Sequence, residues 1–146
     1  MLQVKAQYEL KAPRQRVWEH LLDTGTLQAC IPGCERLTPS AVPDQYDVVM
    51  RVGVSAIKGT YTGKVVLTVV EPLQRYRLQV EGKGAGGFVR GEGVLTLHER
   101  GESTWVEVEG RVTLGGLLAG LGQRVAGGVA RLLLDTFFAC LQKRLG

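Results

Sequence analysis

Between Glu35 and Leu114 the chain carries one repeated instruction: apolar and polar residues alternate in short runs, separated by turn residues, with no helical periodicity among them. Tyr46, Val48, Met50, Val52 and Val54 alternate with Asp47, Val49, Arg51 and Gly53. Tyr61, Gly63, Val65, Leu67 and Val69 alternate with Thr60, Thr62, Lys64, Val66 and Thr68. Tyr76, Leu78 and Val80 oppose Arg75, Arg77, Gln79 and Glu81. Further on, Val89, Gly91, Gly93, Leu95 and Leu97 share a face, as do Thr104, Val106, Val108, Gly110, Val112 and Leu114. The turns between them (Val42-Pro43-Asp44, Ala56 to Gly59, Glu71-Pro72-Leu73-Gln74, Glu99-Arg100-Gly101-Glu102) are short, so sequence neighbours become antiparallel neighbours in space.

The flanks differ. Leu2, Val4, Ala6, Tyr8 and Leu10 alternate with polar residues as a first strand, and Pro13 then opens a short helix through Val17, Trp18, Leu21 and Leu22. A second short helix runs from Thr24 or Gly25 into a turn at Cys30. After Gly115-Gly116, the residues Leu118, Leu121, Val125, Val129, Leu132, Leu133, Thr136 and Cys140 recur at spacings of three and four, which predicts one helix of roughly 25 to 28 residues. A sheet this large curls, and that helix is long enough to cover its concave face. The expectation is a single α+β domain over residues 1–146: a curved seven-stranded antiparallel sheet, two short helices after strand 1, and the long C-terminal helix across the concave face. Glycines on the inward face (Gly91, Gly93, Gly110) and in the helix (Gly120, Gly122, Gly127, Gly128) leave out side chains where a core would place bulk, which predicts room for a ligand.

Cys30-Ile31-Pro32-Gly33-Cys34-Glu35 is the segment that most invites chemistry. A structural zinc takes about four thiolate or imidazole ligands, and Cys140, His20 and His98 form no second pair, so no metal is expected. Three residues between the cysteines depart from the two of a thioredoxin-type site. The segment reads instead as a shaped corner in which Pro32 stops a helix, Gly33 reverses the chain and the cysteines pack as small apolar groups. Gly82-Lys83-Gly84-Ala85-Gly86-Gly87 lies between two strands and lacks the helix that a phosphate cradle needs, so it reads as a hairpin. The net charge of +4 is spread along the sequence, and no nucleic-acid role follows from it. Three cysteines and the absence of a leader pattern point to a reducing, cytoplasmic setting. Gln123, Arg124, Arg131 and Asp135 interrupt the apolar C-terminal stretch and argue against a membrane span.

Four fragments, in order, resemble the carbon monoxide dehydrogenase G-subunit family, within the START and birch-pollen-allergen-like helix-grip superfamily. They are Ala29-Cys30-Ile31-Pro32-Gly33-Cys34-Glu35, Ile57-Lys58-Gly59-Thr60-Tyr61-Thr62-Gly63-Lys64-Val65, Gly82-Lys83-Gly84 with Gly86-Gly87-Phe88, and Gly116-Leu117-Leu118-Ala119 with Leu121-Gly122-Gln123-Arg124. The resemblance covers essentially the whole chain. It implies an accessory protein of a molybdenum-containing carbon monoxide dehydrogenase or related hydroxylase, with no catalytic residues of its own, and no cofactor is expected. It also implies an apolar cavity for a lipid-like molecule such as a quinone, and an association with the inner face of the membrane. Many relatives continue into an apolar anchoring segment, whereas this sequence stops at Gly146, so membrane contact is expected to be transient and through exposed apolar surface.

The expected cavity lining is Val48, Met50, Val52, Tyr61, Val65, Leu67, Leu78, Leu95, Val106, Val108, Leu121, Val125 and Val129. Cys30, Ile31, Pro32, Gly33 and Cys34, with Gly86, Gly87 and Phe88, are the expected cavity corner or partner contact. Two other classes stay open at this point: a cavity enzyme of the cyclase or hydrolase type, for which the inward faces offer tyrosines and few ionisable groups, and a ligand-free scaffold for an enzyme partner.

Overall fold

In a computed structural model, residues 2–53 and 58–146 are described. Strand β1 (Leu2–Leu10) leads into α1 (Arg14–Leu21) and α2 (Thr24–Cys30), and six strands follow. They are β2 (Cys34–Pro39), β3 (Gln45–Val52), β4 (Gly59–Glu71), β5 (Arg75–Gly84), β6 (Gly87–Arg100) and β7 (Ser103–Gly115). A 3-10 helix (Gly116–Leu121) then hands over to α3 (Gly122–Leu145). All seven strands form one antiparallel sheet in the order β1-β7-β6-β5-β4-β3-β2. Val54 and the first half of the predicted turn, Ala56 and Ile57, lie outside the described residues.

The alternation in each strand maps onto two faces. Leu37, Val48, Leu67, Tyr76, Leu95, Leu97, Val106 and Val108 point inward and are buried, while the intervening charged residues line the outer face. Outer-face charges pair loosely, as in Arg90 with Glu81 at 3.5 Å and Lys5 with Glu109 at 3.7 Å; such exposed pairs contribute little. The two short helices close one end of the fold. Pro13 occupies the N-cap of α1 with φ −62°, and the Asp23 carboxylate caps α2 by accepting from the Thr26 amide at 3.0 Å and from its hydroxyl at 2.8 Å. Those two bonds hold the Asp23 carboxyl below its usual range. Thr104, fully buried in β7, donates to the Ala12 carbonyl at 2.8 Å and so fixes the turn from β1 into α1.

Curling the sheet requires adjacent strands to come closer than a side chain allows. A Cβ on Gly63 would overlap the Glu81 carbonyl of β5. Gly93 and Gly110 face each other across β6 and β7, and a Cβ on Gly110 would sit 2.8 Å from the Glu92 oxygen. These glycines therefore bring backbones together, and the room they leave is in the depth of the curl rather than above the missing side chains.

The long helix departs from expectation in start and in phase. Its first turn is a separate 3-10 helix, and α3 begins at Gly122, whose φ of +80° breaks the two apart. The buried face of α3 holds Ala126, Phe138, Leu141 and Leu145, with Leu134 and Phe137 packed beside them. Val125 and Leu132, placed inward by the sequence pattern, are 45% and 52% exposed, and Thr136 is also exposed. Leu132-Leu133-Leu134 and Phe137-Phe138 make the segment apolar on more than one face, so spacing alone fits two phases. Burying the two phenylalanines, each worth far more area than a valine, selects the observed one.

The strand approach at Gly110 is testable. Gly110→Val should lower unfolding stability by about 2–3 kcal/mol, the usual scale for forcing atoms into occupied space, as read by denaturant melts. An unchanged midpoint would show that β6 and β7 can separate to admit a side chain.

Candidate functional site

The inner face of the sheet has two zones. At one end, Leu10, Val17, Leu21, Leu97, Val106, Leu141 and Leu145 are almost fully enclosed and form the core with Trp18, Tyr76 and Phe138. Beyond it, Val80, Val89, Val112 and Leu114 on the same face are half-buried and lie outside that cluster. The half of α3 nearest them is poor in bulk, with Gly122, Ala126, Gly127, Gly128 and Ala130. Among the described residues beyond the helix's own backbone, an added Cβ on Gly127 would meet Leu2 Cδ1 at 3.8 Å and one on Gly128 would meet nothing within 4 Å. Packing is thus heavy over one half of the inner face, while the valines and leucine of the other half lie outside the core cluster and half-buried.

The expected lining residues divide accordingly. Val48, Leu67, Leu95, Val106 and Val108 belong to the packed core, with Val106 fully enclosed by protein, so their burial comes from packing. Met50, Val65 and Leu78 are half-buried and packed against that core. Val52, Leu121 and Val129 are half-buried outside it, and Tyr61 is buried. Val125 stands on the solvent side of α3 and is corrected out of the set, for the reason of phase given above. Val80, Val89, Val112 and Leu114, absent from the expected lining, were visible as inward positions of β5, β6 and β7.

The two expected contact loops come to the same end of the sheet, where β3, β5 and β7 end and β2, β4 and β6 begin. Gly84 and Gly87 close a tight hairpin, the Gly86 carbonyl accepts from the Leu118 amide at 3.0 Å, and Phe88, 38% exposed, lies below the Arg90 guanidinium at 5.6 Å. In the corner after α2, Gly33 turns with φ +76°, and its carbonyl accepts from the Arg51 amide at 2.8 Å. A Cβ there would overlap the Arg51 carbonyl, so the corner needs glycine to dock on β3. Arg51 also pairs with Glu35 at 3.0 Å.

The cysteines differ from expectation. Cys30 forms a disulfide with Cys140 of α3, the Cα atoms 5.3 Å apart and 110 residues apart in sequence, while Cys34 is free. Cys30, expected to pack as a small apolar group beside Cys34, is bonded instead, because a pairing across the whole chain leaves no local spacing to find. Closing a loop of that length stabilises a fold by about 4–5 kcal/mol through the unfolded chain.

α3 is also fastened at the end of β1. The Tyr8 hydroxyl donates to Asp135 Oδ1 at 2.7 Å, its ring stacks on Phe138 at 4.2 Å, and Gln142 Oε1 accepts from the Lys11 amide at 2.8 Å. Arg131 completes the set at 3.3 Å from Asp135. Desolvation, the hydrogen bond to Asp135 and its negative charge together push the Tyr8 phenol up to about 12. Tyr76, enclosed beside Trp18, is raised by burial alone. His98 contacts Glu107 at 3.0 Å on the outer face, and His20 contacts the Arg16 carbonyl at 3.0 Å. Among the described residues no three His, Cys, Asp or Glu side chains gather as a metal set.

Two of the surface clefts among the described residues are sizeable. One of about 470 Å³ lies between Leu2 and Gln3 of β1 and Gln123 and Arg124 of α3, beside the thin half of the helix. The other, about 430 Å³, lies across the outer strand face among Gln45, Lys64, Gln79, Arg90, Glu92 and Arg111.

A curled seven-stranded sheet around a C-terminal helix is the START-like helix-grip fold. The description of the carbon monoxide dehydrogenase G-subunit (CoxG) family matches residues 7–146, and the chain belongs to that family. It is similar to a conserved protein of Geobacillus kaustophilus, with 36% identity, TM-score 0.94, and coverage of 99% of this chain and 95% of that one. A START superfamily protein of Mycobacterium smegmatis matches at 13% identity and TM-score 0.77, covering 98% and 96%. The ZhuI aromatase/cyclase of Streptomyces sp. R1128 matches at 15% and 0.74, covering 98% and 92%. Likeness at those identities concerns the fold. No curated protein matches the sequence.

The Tyr8 fastening has a pH signature. A phenol that ionises near 10 when unfolded and near 12 when folded favours the fold up to about pH 10, and that contribution is lost as pH rises through 12. Spectroscopic titration at 295 nm should show a tyrosine ionising near 12, and Asp135→Asn should return it toward 10. A tyrosine spectrum identical in the two proteins would remove Asp135 from the account.

Proposed function

We propose that this protein is a non-catalytic accessory protein that holds an apolar, quinone-like lipid in the groove between the sheet and α3. In this reading it serves a molybdenum-containing carbon monoxide dehydrogenase or related hydroxylase at the cytoplasmic face of the membrane. The observation that carries the reading is the half-exposed apolar wall of Val80, Val89, Val112 and Leu114 beneath the glycine- and alanine-rich half of α3. Apolar side chains left half-covered on a concave surface favour an apolar occupant, because each buried square ångström of such surface stabilises by about 25 cal/mol. Family membership supports the accessory role, and folds of this kind commonly hold hydrophobic ligands.

Contact with the membrane is proposed through the outer side of the C-terminal segment. Gly116–Leu145 is long and apolar enough to cross a membrane by length and composition, and only 17% of its most apolar window is buried. Phe138, Leu141 and Leu145 in the core, together with the bonds of Asp135 and Gln142 to β1, make it the covering helix of the sheet instead. Leu117, Val125 and Leu132 are exposed beside Arg124 and Arg131, a combination suited to lying on an anionic surface. The hairpin at Gly86, Gly87 and Phe88 and the corner from Cys30 to Cys34 are the proposed partner-facing loops, since both project from rigid strand ends.

A short-tailed benzoquinone titrated into the folded protein should bind, and organic extraction of freshly purified protein should release a lipid-like molecule. Ala130→Trp, which fills the thin side of the groove, should weaken binding at least about tenfold while leaving the melting temperature within a few degrees. A well-folded protein that binds no quinone or lipid and yields none on extraction would overturn the carrier reading.

A further inference from the structure

The C-terminal half of α3 is fastened to the rest of the fold by two different means. On the β1 side α3 is held by the Tyr8 to Asp135 bond, the Gln142 to Lys11 bond and the stack of Tyr8 on Phe138. The second fastening is the Cys30–Cys140 disulfide, which joins α3 to the last residue of α2. The corner beyond Cys30 docks on β3 through the bond from the Arg51 amide to the Gly33 carbonyl and an exposed ion pair between Arg51 and Glu35, and Gln28 of α2 ties it to β2 by donating to the Glu35 carbonyl and accepting from the Leu37 amide, each at 3.3 Å. Ile31 and Cys34 pack half-buried against the core, and Cys34 stands opposite Met50 in the β2 and β3 register. α2 has only seven residues, too few to persist without tertiary support.

We propose that the Cys30–Cys140 disulfide is a redox latch that holds the corner against α3, so that its reduction by an external dithiol lets the corner leave the β3 edge and speeds ligand release. The inference rests on the carrier reading above and adds its regulation. The sulfur of Cys140 is the accessible one, since Cys140 is half-buried and Cys30 is 2% exposed. A thiolate of the reductant attacks the Cys140 sulfur, the bond to Cys30 breaks, and the Cys30 thiolate takes up a proton. The reductant's second thiol then attacks the mixed disulfide, leaving Cys140 as a thiol and the reductant as its own disulfide, so two electrons pass from dithiol to protein. Cys34 is a poor internal attacker: burial raises its thiol above the usual range, and its sulfur lies 3.6 Å from the Arg36 carbonyl. The latch is therefore opened from outside.

The test uses the full chain, the same short-tailed benzoquinone and dithiothreitol. Titratable thiols should rise from one to three, the dissociation rate should rise at least about fivefold, and amide exchange over residues 24–34 should accelerate. Cys140→Ser should release the probe at the fast rate with or without reductant; should that variant not fold, reduced wild-type protein supplies the same comparison. Three thiols with unchanged release and unchanged exchange would overturn the latch. If the probe binds in neither redox state, the carrier reading fails, and exchange over residues 24–34 decides the latch alone: faster on reduction supports it, unchanged refutes it.

Discussion

Everything in this fold depends on strands that approach more closely than side chains permit. With Gly63 against the Glu81 carbonyl, and Gly93 opposite Gly110, the sheet can coil until its inner face becomes concave. A single helix cannot fill a concavity evenly. α3 brings Phe137, Phe138, Leu141 and Leu145 to one half and is rich in glycine and alanine in the other, so the first half becomes core and the second stays half-covered. Fold and site thus arise from one distribution of bulk, and the glycines act at two levels: in the strands they set curvature, and in the helix they withhold cover.

Much of this architecture was legible because a half-buried antiparallel strand writes its two faces directly into the sequence. Leu95 and Leu97, or Val106 and Val108, could be assigned inward from alternation alone. What failed to show was whatever depends on distance across the fold. The phase of α3 was ambiguous because Leu132, Leu133 and Leu134 are consecutive, and only packing against Tyr8 and the core chooses among them. The partnership of Cys30 with Cys140 spans 110 residues and has no local signature. Cys34, the nearer cysteine, was the misleading neighbour.

The site was legible only in part for a related reason. Alternation identifies the residues that face inward, but cannot separate those enclosed by other side chains from those left half-covered. Val106 and Val112 occupy equivalent inward positions on the same strand; the first is fully enclosed in the cluster that holds Trp18, Tyr76 and Phe138, and the second is half-buried outside it. Polar fastening was equally hidden. Asp135 reads as a solvent-facing helix residue until the coil of β1 brings the Tyr8 hydroxyl within 2.7 Å of it.

Membership in the CoxG family and an uneven grip on the sheet lead to one central claim, that the thinly covered half of the concave face is where an apolar molecule resides. Methyl-resolved NMR during titration with a quinone or lipid probe tests it most directly, since valine and leucine methyls populate both halves. Shifts confined to Val80, Val89, Val112, Leu114 and Val129, with Leu10, Val17, Leu97 and Val106 unmoved, are the predicted result. Shifts centred on the core methyls, or on outer-face Val66 and Val94, would contradict it.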